Sequence, residues 1–248
     1  MKTDLPINQI IHGDSIEFMK TLSDATIDLV LCDLPYGITD CKWDMRLPLK
    51  ELFAQYARII KPNAAILLFA QQPFATDLIN QARRMFRYQI VWEKTKSLGF
   101  LNAKRMPLRA HELILVYYNR LPSYNPQFTP GKPYVKKYNE KQRTDLYRFH
   151  GKAYSMRNNG VRYPRDVVKF AQPTSTEGLY HSTQKPLMLL EYLIKTYSNK
   201  GDVVLDNTCG SGSTCVAAKK LNRRYIGIDN NLEYVKVARL RCEEVIID

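Results

Sequence analysis

The segment Val203-Val204-Leu205-Asp206-Asn207-Thr208-Cys209-Gly210-Ser211-Gly212-Ser213-Thr214 constrains this chain most. An apolar run ends in an acid, a turn of small residues follows, and a helical pattern then continues to Leu221. A buried strand, a Gly-rich turn and a helix in that order open a βαβ unit. At such a turn backbone N–H groups approach a ligand closely, and the helix N-terminus favours a negative group such as an amino-acid carboxylate. Asp229 ends the next apolar run, Tyr225 to Ile228, and an acid there is placed to accept hydrogen bonds from ribose hydroxyls. A lone Gly-x-Gly is only what a tight turn needs. With strand, helix and acid in place, a nucleoside-containing cofactor is the stronger reading. No Gly-Lys-Ser/Thr follows, so the turn is not a P-loop.

The rest of the chain repeats the alternation. Strands are expected at Ile10-Ile11, Ile27 to Cys32, Ala64 to Phe69, Gln89 to Trp92 and Leu113 to Tyr117. Helices are expected over Ser15 to Leu22, where Asp14 and Glu17 resemble a capping pair, over Leu49 to Ile60, from Pro186 to Tyr197, and from Leu232 to Ile246. Pro62-Asn63 is expected to break the chain before the third strand. Strand–helix alternation implies an α/β fold, a mostly parallel sheet with helices on both faces. From about 119 to 170 the pattern dissolves among prolines, which marks an insertion of irregular structure or short strands. The expected organisation is one domain over 1–248, with a core at about 1–118 and 171–248 and the insertion at about 119–170.

Charge singles out part of this region. Residues 94–169 hold 17 of the 37 Lys and Arg but 4 of the 24 Asp and Glu, so this window carries the entire net charge of +13. Eight of the 16 tyrosines fall there too. Basic residues interleaved with tyrosine suit a phosphate backbone with contacted bases better than a plain solvated face or a membrane surface. Lys104, Arg105 and Arg109 near Pro107, with Lys136, Lys137 and Arg143, are the candidate contacts. The five cysteines include no C-x-x-C pair and read as reduced thiols, and the four histidines show no metal-ligand spacing, so no metal is expected. No apolar stretch is long enough to span a membrane and the N-terminus is polar, so a cytoplasmic location is expected.

A second motif, Asp33-Leu34-Pro35-Tyr36-Gly37, closes the strand ending at Cys32. It brings a carboxylate, a rigid turn and an aromatic ring to the strand end where α/β folds bind ligands. Such a loop can accept two hydrogen bonds from an amino group while Tyr36 stacks on a planar ring. Alone it also reads as a plain turn.

Together the motifs resemble those of the amino-methylating DNA methyltransferases, the adenine-N6 and cytosine-N4 family. Asp33-Leu34-Pro35-Tyr36 is similar to its D/N/S-P-P-Y loop, with Leu34 where a first proline is usual. His181-Ser182-Thr183-Gln184-Lys185-Pro186 is similar to its H-x-T-Q-K-P segment. Asp206 to Thr214 is similar to its D-x-x-x-G-S-G-T-T cofactor motif, with Asn207-Thr208 where Pro-Phe is common. The order of motifs is that of the beta group, and the basic window falls where that group keeps its target-recognition region. The resemblance covers essentially the whole chain.

What the resemblance implies is a Rossmann-like S-adenosylmethionine-dependent methyltransferase fold with a seven-stranded sheet. The expected reaction moves a methyl group from S-adenosylmethionine to N6 of a flipped-out adenine in double-stranded DNA. Asp33, the Leu34 carbonyl, Pro35 and Tyr36 are the expected catalytic loop. The expected cofactor contacts are Asp14, Thr183, Lys185, Asp206, Cys209, Gly210, Ser211, Gly212 and Asp229. Asp14 reads equally as a helix cap and Lys185 as a solvated lysine before a helix-opening proline. His111-Glu112 reads as structural and Trp92 as core. Cytosine-N5 chemistry is excluded, because its loop needs a cysteine nucleophile and Cys32 lies inside the strand. Cytosine-N4 methylation is the close rival, and Asp33 rather than serine favours adenine. An RNA or protein methyltransferase and a non-catalytic nucleic-acid-binding protein on a decayed fold are the other classes. A bacterial or phage origin, a homodimer and a companion restriction endonuclease all suit the family.

Overall fold

The computed structural model describes residues 5–37, 45–138, 154–173 and 184–246. Its centre is an eight-stranded sheet. In chain order the strands are β1 (Gln9–His12), β2 (Ile27–Asp33), β3 (Ile60–Ala70), β4 (Phe86–Leu98), β5 (Arg109–Tyr117), β10 (Val167–Phe170), β11 (Val203–Asp206) and β12 (Arg224–Asp229). Their spatial order is β1-β12-β11-β2-β3-β5-β4-β10. All neighbours are parallel except β5, which runs antiparallel to both β3 and β4.

Alternating strand residues face two helical layers. Val30, Cys32, Ile66, Leu68, Leu115 and Leu205 pack on α1 (Ser15–Thr21), α2 (Leu49–Ile59) and α3 (Phe74–Gln81). Leu29, Leu31, Leu67, Phe69, Ile114 and Val204 pack on α4 (Leu187–Tyr197), α5 (Ser213–Lys220) and α6 (Leu232–Glu243). Burial on both faces is why these strands read as continuous apolar runs.

Three expectations are corrected. The sheet has eight strands rather than seven among the described residues, because residues 167–170, assigned above to the insertion, pair in parallel with β4 on its outer edge. β3 begins at Ile60 rather than after Pro62-Asn63. Ile60 pairs with Ile27, and Pro62-Asn63 falls in the register shift before Ala65 joins Leu29. β4 runs on to Leu98, six residues past Trp92, as the outgoing arm of a long hairpin with β5.

The chain separates into two compact units, residues 1–125 with 166–248, and residues 126–165. The segment set apart is therefore narrower than 119–170. Asn125 returns to the larger unit through its N–H to the Thr196 carbonyl at 2.7 Å. Within the small unit β6 (Thr129–Pro130) pairs with β9 (Val161–Arg162), and β7 (Tyr134–Tyr138) pairs with β8 (Tyr154–Asn158). Among the described residues no helix is long and apolar enough to cross a membrane.

Candidate active site

Four adjacent parallel strands bring an aspartate each to one edge of the sheet. Asp33 ends β2, Asp206 ends β11, Asp229 ends β12, and Asp14 follows β1 by two residues. Neighbouring strands lie about 4.8 Å apart, so the row spans roughly 14 Å. This is the carboxyl edge, where open α/β sheets bind ligands.

Asp14 caps α1, its Oδ1 accepting the N–H groups of Ile16 and Glu17 at 2.9 Å each. Glu17 does not reciprocate; its carboxylate takes Lys20 Nζ at 2.6 Å. Asp229 braces the Gly-rich turn, with Oδ2 accepting Gly210 N–H at 2.8 Å and Oδ1 accepting Asn231 N–H at 2.8 Å. The two glycines of the turn differ in purpose. A Cβ on Gly210 would meet nothing within 4 Å, so the space above that residue is open. A Cβ on Gly212 would lie 2.7 Å from Ala238 Cβ, so Gly212 is there to let α6 approach. Beneath the turn the buried Arg241 guanidinium donates to the Ser211 carbonyl at 2.6 Å and reaches the Ser211 and Ser213 hydroxyls at 3.1 Å. Cys209 is buried in the core under the turn.

Asp206 is buried, and burial pushes its carboxyl up to about 7. Thr208 N–H, at 3.2 Å, and the Thr214 hydroxyl bond to it, but no cationic side chain among the described residues pairs with it. A buried carboxylate bonded only by neutral donors is incomplete without a cation. Next to it, Asn207 Oδ1 accepts the Tyr56 hydroxyl at 2.5 Å and the Cys32 thiol at 2.9 Å, while Asn207 Nδ2 is buried without a hydrogen-bond partner among the described residues. The Thr208 hydroxyl donates to the Asp33 carbonyl at 3.1 Å. The departures thus tie the Gly-rich turn to its neighbours, Thr208 to Asp33 at the end of β2 and Asn207 to Cys32 within β2 and Tyr56 on α2.

That loop is anchored at both ends. The Leu34 side chain is buried in the core, and Arg46 Nε donates to the Tyr36 carbonyl at 2.8 Å while its guanidinium pairs with Asp77 at 2.9 Å. The Tyr36 ring leans on Phe74, centroids 5.3 Å apart. Its hydroxyl lies 3.0 Å from Asp33 Oδ1 and 2.8 Å from Glu112 Oε1, so one proton serves two carboxylates. Lys185 Nζ lies 2.6 Å from Asp33 Oδ2 and 3.0 Å from Glu112 Oε1, and Lys94 Nζ lies 2.7 Å from Glu112 Oε2. Two ammonium groups therefore balance two carboxylates. Burial raises the Asp33 pKa even against Lys185. Burial would do the same to Glu112, but Lys185 and Lys94 outweigh it and hold that carboxyl at about 2. The Tyr36 hydroxyl, buried between two carboxylates, is pushed well above its usual pKa and stays protonated.

Lys185, expected at the cofactor turn, is thus placed beside Asp33. Thr183 and Arg143 lie outside the described residues. Lys104, Arg105 and Arg109 are exposed on the β4–β5 hairpin, and Lys136 and Lys137 are exposed on β7 of the small unit. Trp92 is core, packed edge-on to Phe69. Glu112 and Lys94 were missed as site residues. Their signal is present: an acid opening the apolar run Leu113 to Tyr117, on a strand that must be buried, requires a buried cation as partner.

Residues 27–240 match a family model for N6/N4 methyltransferases described as DNA methylase. The chain is similar to the type II methyltransferase M1.MboII of Moraxella bovis, 28% identical over 98% of this chain and 100% of the relative. It is similar to the DNA adenine methyltransferase YhdJ of Escherichia coli strain K12, 29% identical over 94% of this chain and 82% of the relative. Among solved structures it resembles the M1.HpyAVI–SAM complex, with TM-score 0.67 and 25% identity, covering 94% of this chain and 98% of the other.

Proposed function

The chain belongs to the DNA methylase family, whose cofactor is S-adenosylmethionine, and on that premise we propose that it methylates N6 of adenine in double-stranded DNA. The observation that carries the reading is the adjacency of two loops. The Asp33 loop and the Asp206 turn leave neighbouring strands and are joined by the Thr208–Asp33 hydrogen bond.

The residues present fit the cofactor. Asp206 is a buried carboxylate that lacks a cation among the described residues, and the sulfonium cofactor and its α-ammonium group both carry positive charge. Open space over Gly210 admits the methionine end, with Cys209, Ser211 and Gly212 shaping the turn. Asp229, one strand further along the edge, suits the ribose hydroxyls, and Asp14 lies beyond it on the adenine side. When bound, the cofactor supplies an electrophilic methyl group.

The acceptor side follows from Asp33. An exocyclic amino group is a poor nucleophile because its lone pair is delocalised into the ring. Hydrogen bonds from its two protons to the Asp33 carboxylate and the Leu34 carbonyl localise that pair. Pro35 holds the loop extended and Tyr36 bounds the base. Burial raises the Asp33 pKa, and Lys185 Nζ, 2.6 Å from Oδ2, opposes that shift by favouring the carboxylate, the form that accepts hydrogen bonds. Attack makes the N–H acidic, and Asp33 or a water takes the proton. The contribution of these groups is orientation and electrostatics. The target amine is paired inside the duplex, so the base must leave the stack first.

Incubation with methyl-labelled cofactor and unmethylated genomic DNA, followed by hydrolysis to nucleosides, tests the reading. Labelled N6-methyladenine is expected. N4-methylcytosine would transfer the reading to cytosine, and unlabelled DNA would overturn it.

A further inference from the structure

The β4–β5 hairpin carries a feature that methyl transfer itself does not use. Lys94 is the last β4 residue paired with β10, and beyond it the hairpin continues alone, its β4–β5 register shifting between Glu93 and Leu98, where Leu98 meets Arg109. At its tip stand Phe100 and Leu101, exposed by 81% and 99%, flanked by exposed Leu98, Met106 and Leu108. The tip is a built structure. Gly99 takes φ +90° to start a 3-10 turn over Phe100–Asn102, and the N–H groups of Asn102, Ala103, Arg105 and Met106 close back on the Gly99, Phe100 and Asn102 carbonyls. Five large apolar side chains are thus held in water on a closed turn.

Their surroundings indicate what covers them. From Lys94 to His111 there are five Lys or Arg and no Asp or Glu. Apolar residues in a wholly basic frame match a polyanion with an apolar interior, which describes the base stack of a duplex. Position agrees. β4 runs parallel to β3 and β2 in direction, so the hairpin rises from the same edge as Asp33, and its stem carries Lys94 and Glu112 of the acceptor cluster.

We propose that Phe100 and Leu101 form a wedge that enters the base stack beside the target and fills the gap left by the flipped-out base. Lys96, Lys104, Arg105 and Arg109 grip the flanking phosphates. This inference rests on the DNA reading above and adds how the base is taken out of the helix.

The test uses the full chain and a synthetic duplex carrying the site first read from genomic DNA modified by the wild-type protein. Absence of any modified site would remove the DNA reading itself, before the wedge is examined. The double variant F100A/L101A is compared with wild type on two duplexes, one with the target base paired and one with it mispaired. Unstacking and unpairing cost a few kcal/mol, so kcat/KM on the paired duplex should fall by roughly tenfold to a hundredfold. On the mispaired duplex the loss should shrink several-fold, because the base is already loose. With 2-aminopurine at the target position, wild type should raise fluorescence and the variant should not. The tip is exposed, so an unchanged melting temperature checks the fold. Equal losses on both duplexes would overturn the wedge in favour of a simple contact. No loss on either, with wild type binding neutral lipid vesicles through the tip, would make the patch a membrane contact instead.

Discussion

Glu112 is the residue on which the acceptor site's electrostatics turn. It is 3% exposed and holds Lys94, Lys185 and the Tyr36 hydroxyl together. Removing its charge leaves two buried ammonium groups with one carboxylate between them. Breaking a buried ion pair costs about 3–5 kcal/mol, and a chain this long loses roughly 2–4 °C per kcal/mol. Glu112→Gln is therefore expected to lower the melting temperature by around 10 °C. Because the Glu112 carboxyl is held at about 2 when folded, its stabilisation is present above the ordinary carboxylate range and is lost as pH falls through about 2. Asp206 behaves in the opposite sense. Its folded pKa is raised to about 7, so the ligand-free fold loses stability as pH rises from the ordinary carboxylate range to about 7 and is level above that. Asp206→Asn should accordingly raise the melting temperature of the ligand-free protein at pH 8 while weakening S-adenosylmethionine binding about tenfold or more, the scale of one lost charge-assisted hydrogen bond. Calorimetry with and without the cofactor reads both effects. A variant that gained no stability and kept its affinity would show that Asp206 meets no cation.

At the scale of elements, the loops after β2 and β11 act as one unit. The glycines of the second loop separate its two duties. Gly210→Ala introduces a methyl group into open space at φ +49°, a strain of roughly 1–2 kcal/mol, so the expected result is a folded protein with impaired cofactor binding. Gly212→Ala drives a Cβ to 2.7 Å from Ala238 at φ +81°, so the expected result is a weakened α5–α6 contact and a drop in melting temperature larger than that of Gly210→Ala. Most elements were legible from the sequence because a sheet buried on both faces leaves continuous apolar runs such as Leu29 to Cys32. The edges were not. β10 alternates between exposed and half-buried residues, and the outer half of β4 is exposed, so neither leaves an apolar signal. Asp33, Tyr36 and Asp206 could be named because turn chemistry marks them. Glu112 and Lys94 lie within strands: the acid at the head of the Leu113 to Tyr117 run calls for a buried cation, but that Lys94 is that cation follows from the cross-strand pairing of Trp92 with Glu112, which local pattern does not encode.

For the whole molecule, the charge excess of residues 94–169 falls partly on the β4–β5 hairpin of the larger unit and partly on the small unit. If both contact phosphates, DNA affinity falls steeply with salt, with log K against log[salt] sloping by about −0.9 for each phosphate neutralised. Lys104→Ala and Lys137→Ala should each reduce that slope by about 1 without changing which base is modified. An unchanged slope for Lys137→Ala would confine the interface to the larger unit. Fold class and cofactor were readable in the sequence at this scale because both rest on motifs of consecutive residues. The boundaries of the small unit were not, since Asn125 and the strand after Arg165 join the larger unit through hydrogen bonds to distant residues.

Methyl transfer as proposed depends on Asp33, held at the end of β2 beside the Asp206 turn, to activate the amino group that receives the methyl. The most direct measurement is the single-turnover rate of methyl transfer to DNA by Asp33→Ala, with S-adenosylmethionine affinity measured on the same preparation. A rate loss of about 10²-fold or more is expected, the scale of removing a transition-state hydrogen-bonding group, with cofactor affinity within about threefold of wild type. Transfer at close to the wild-type rate would contradict it.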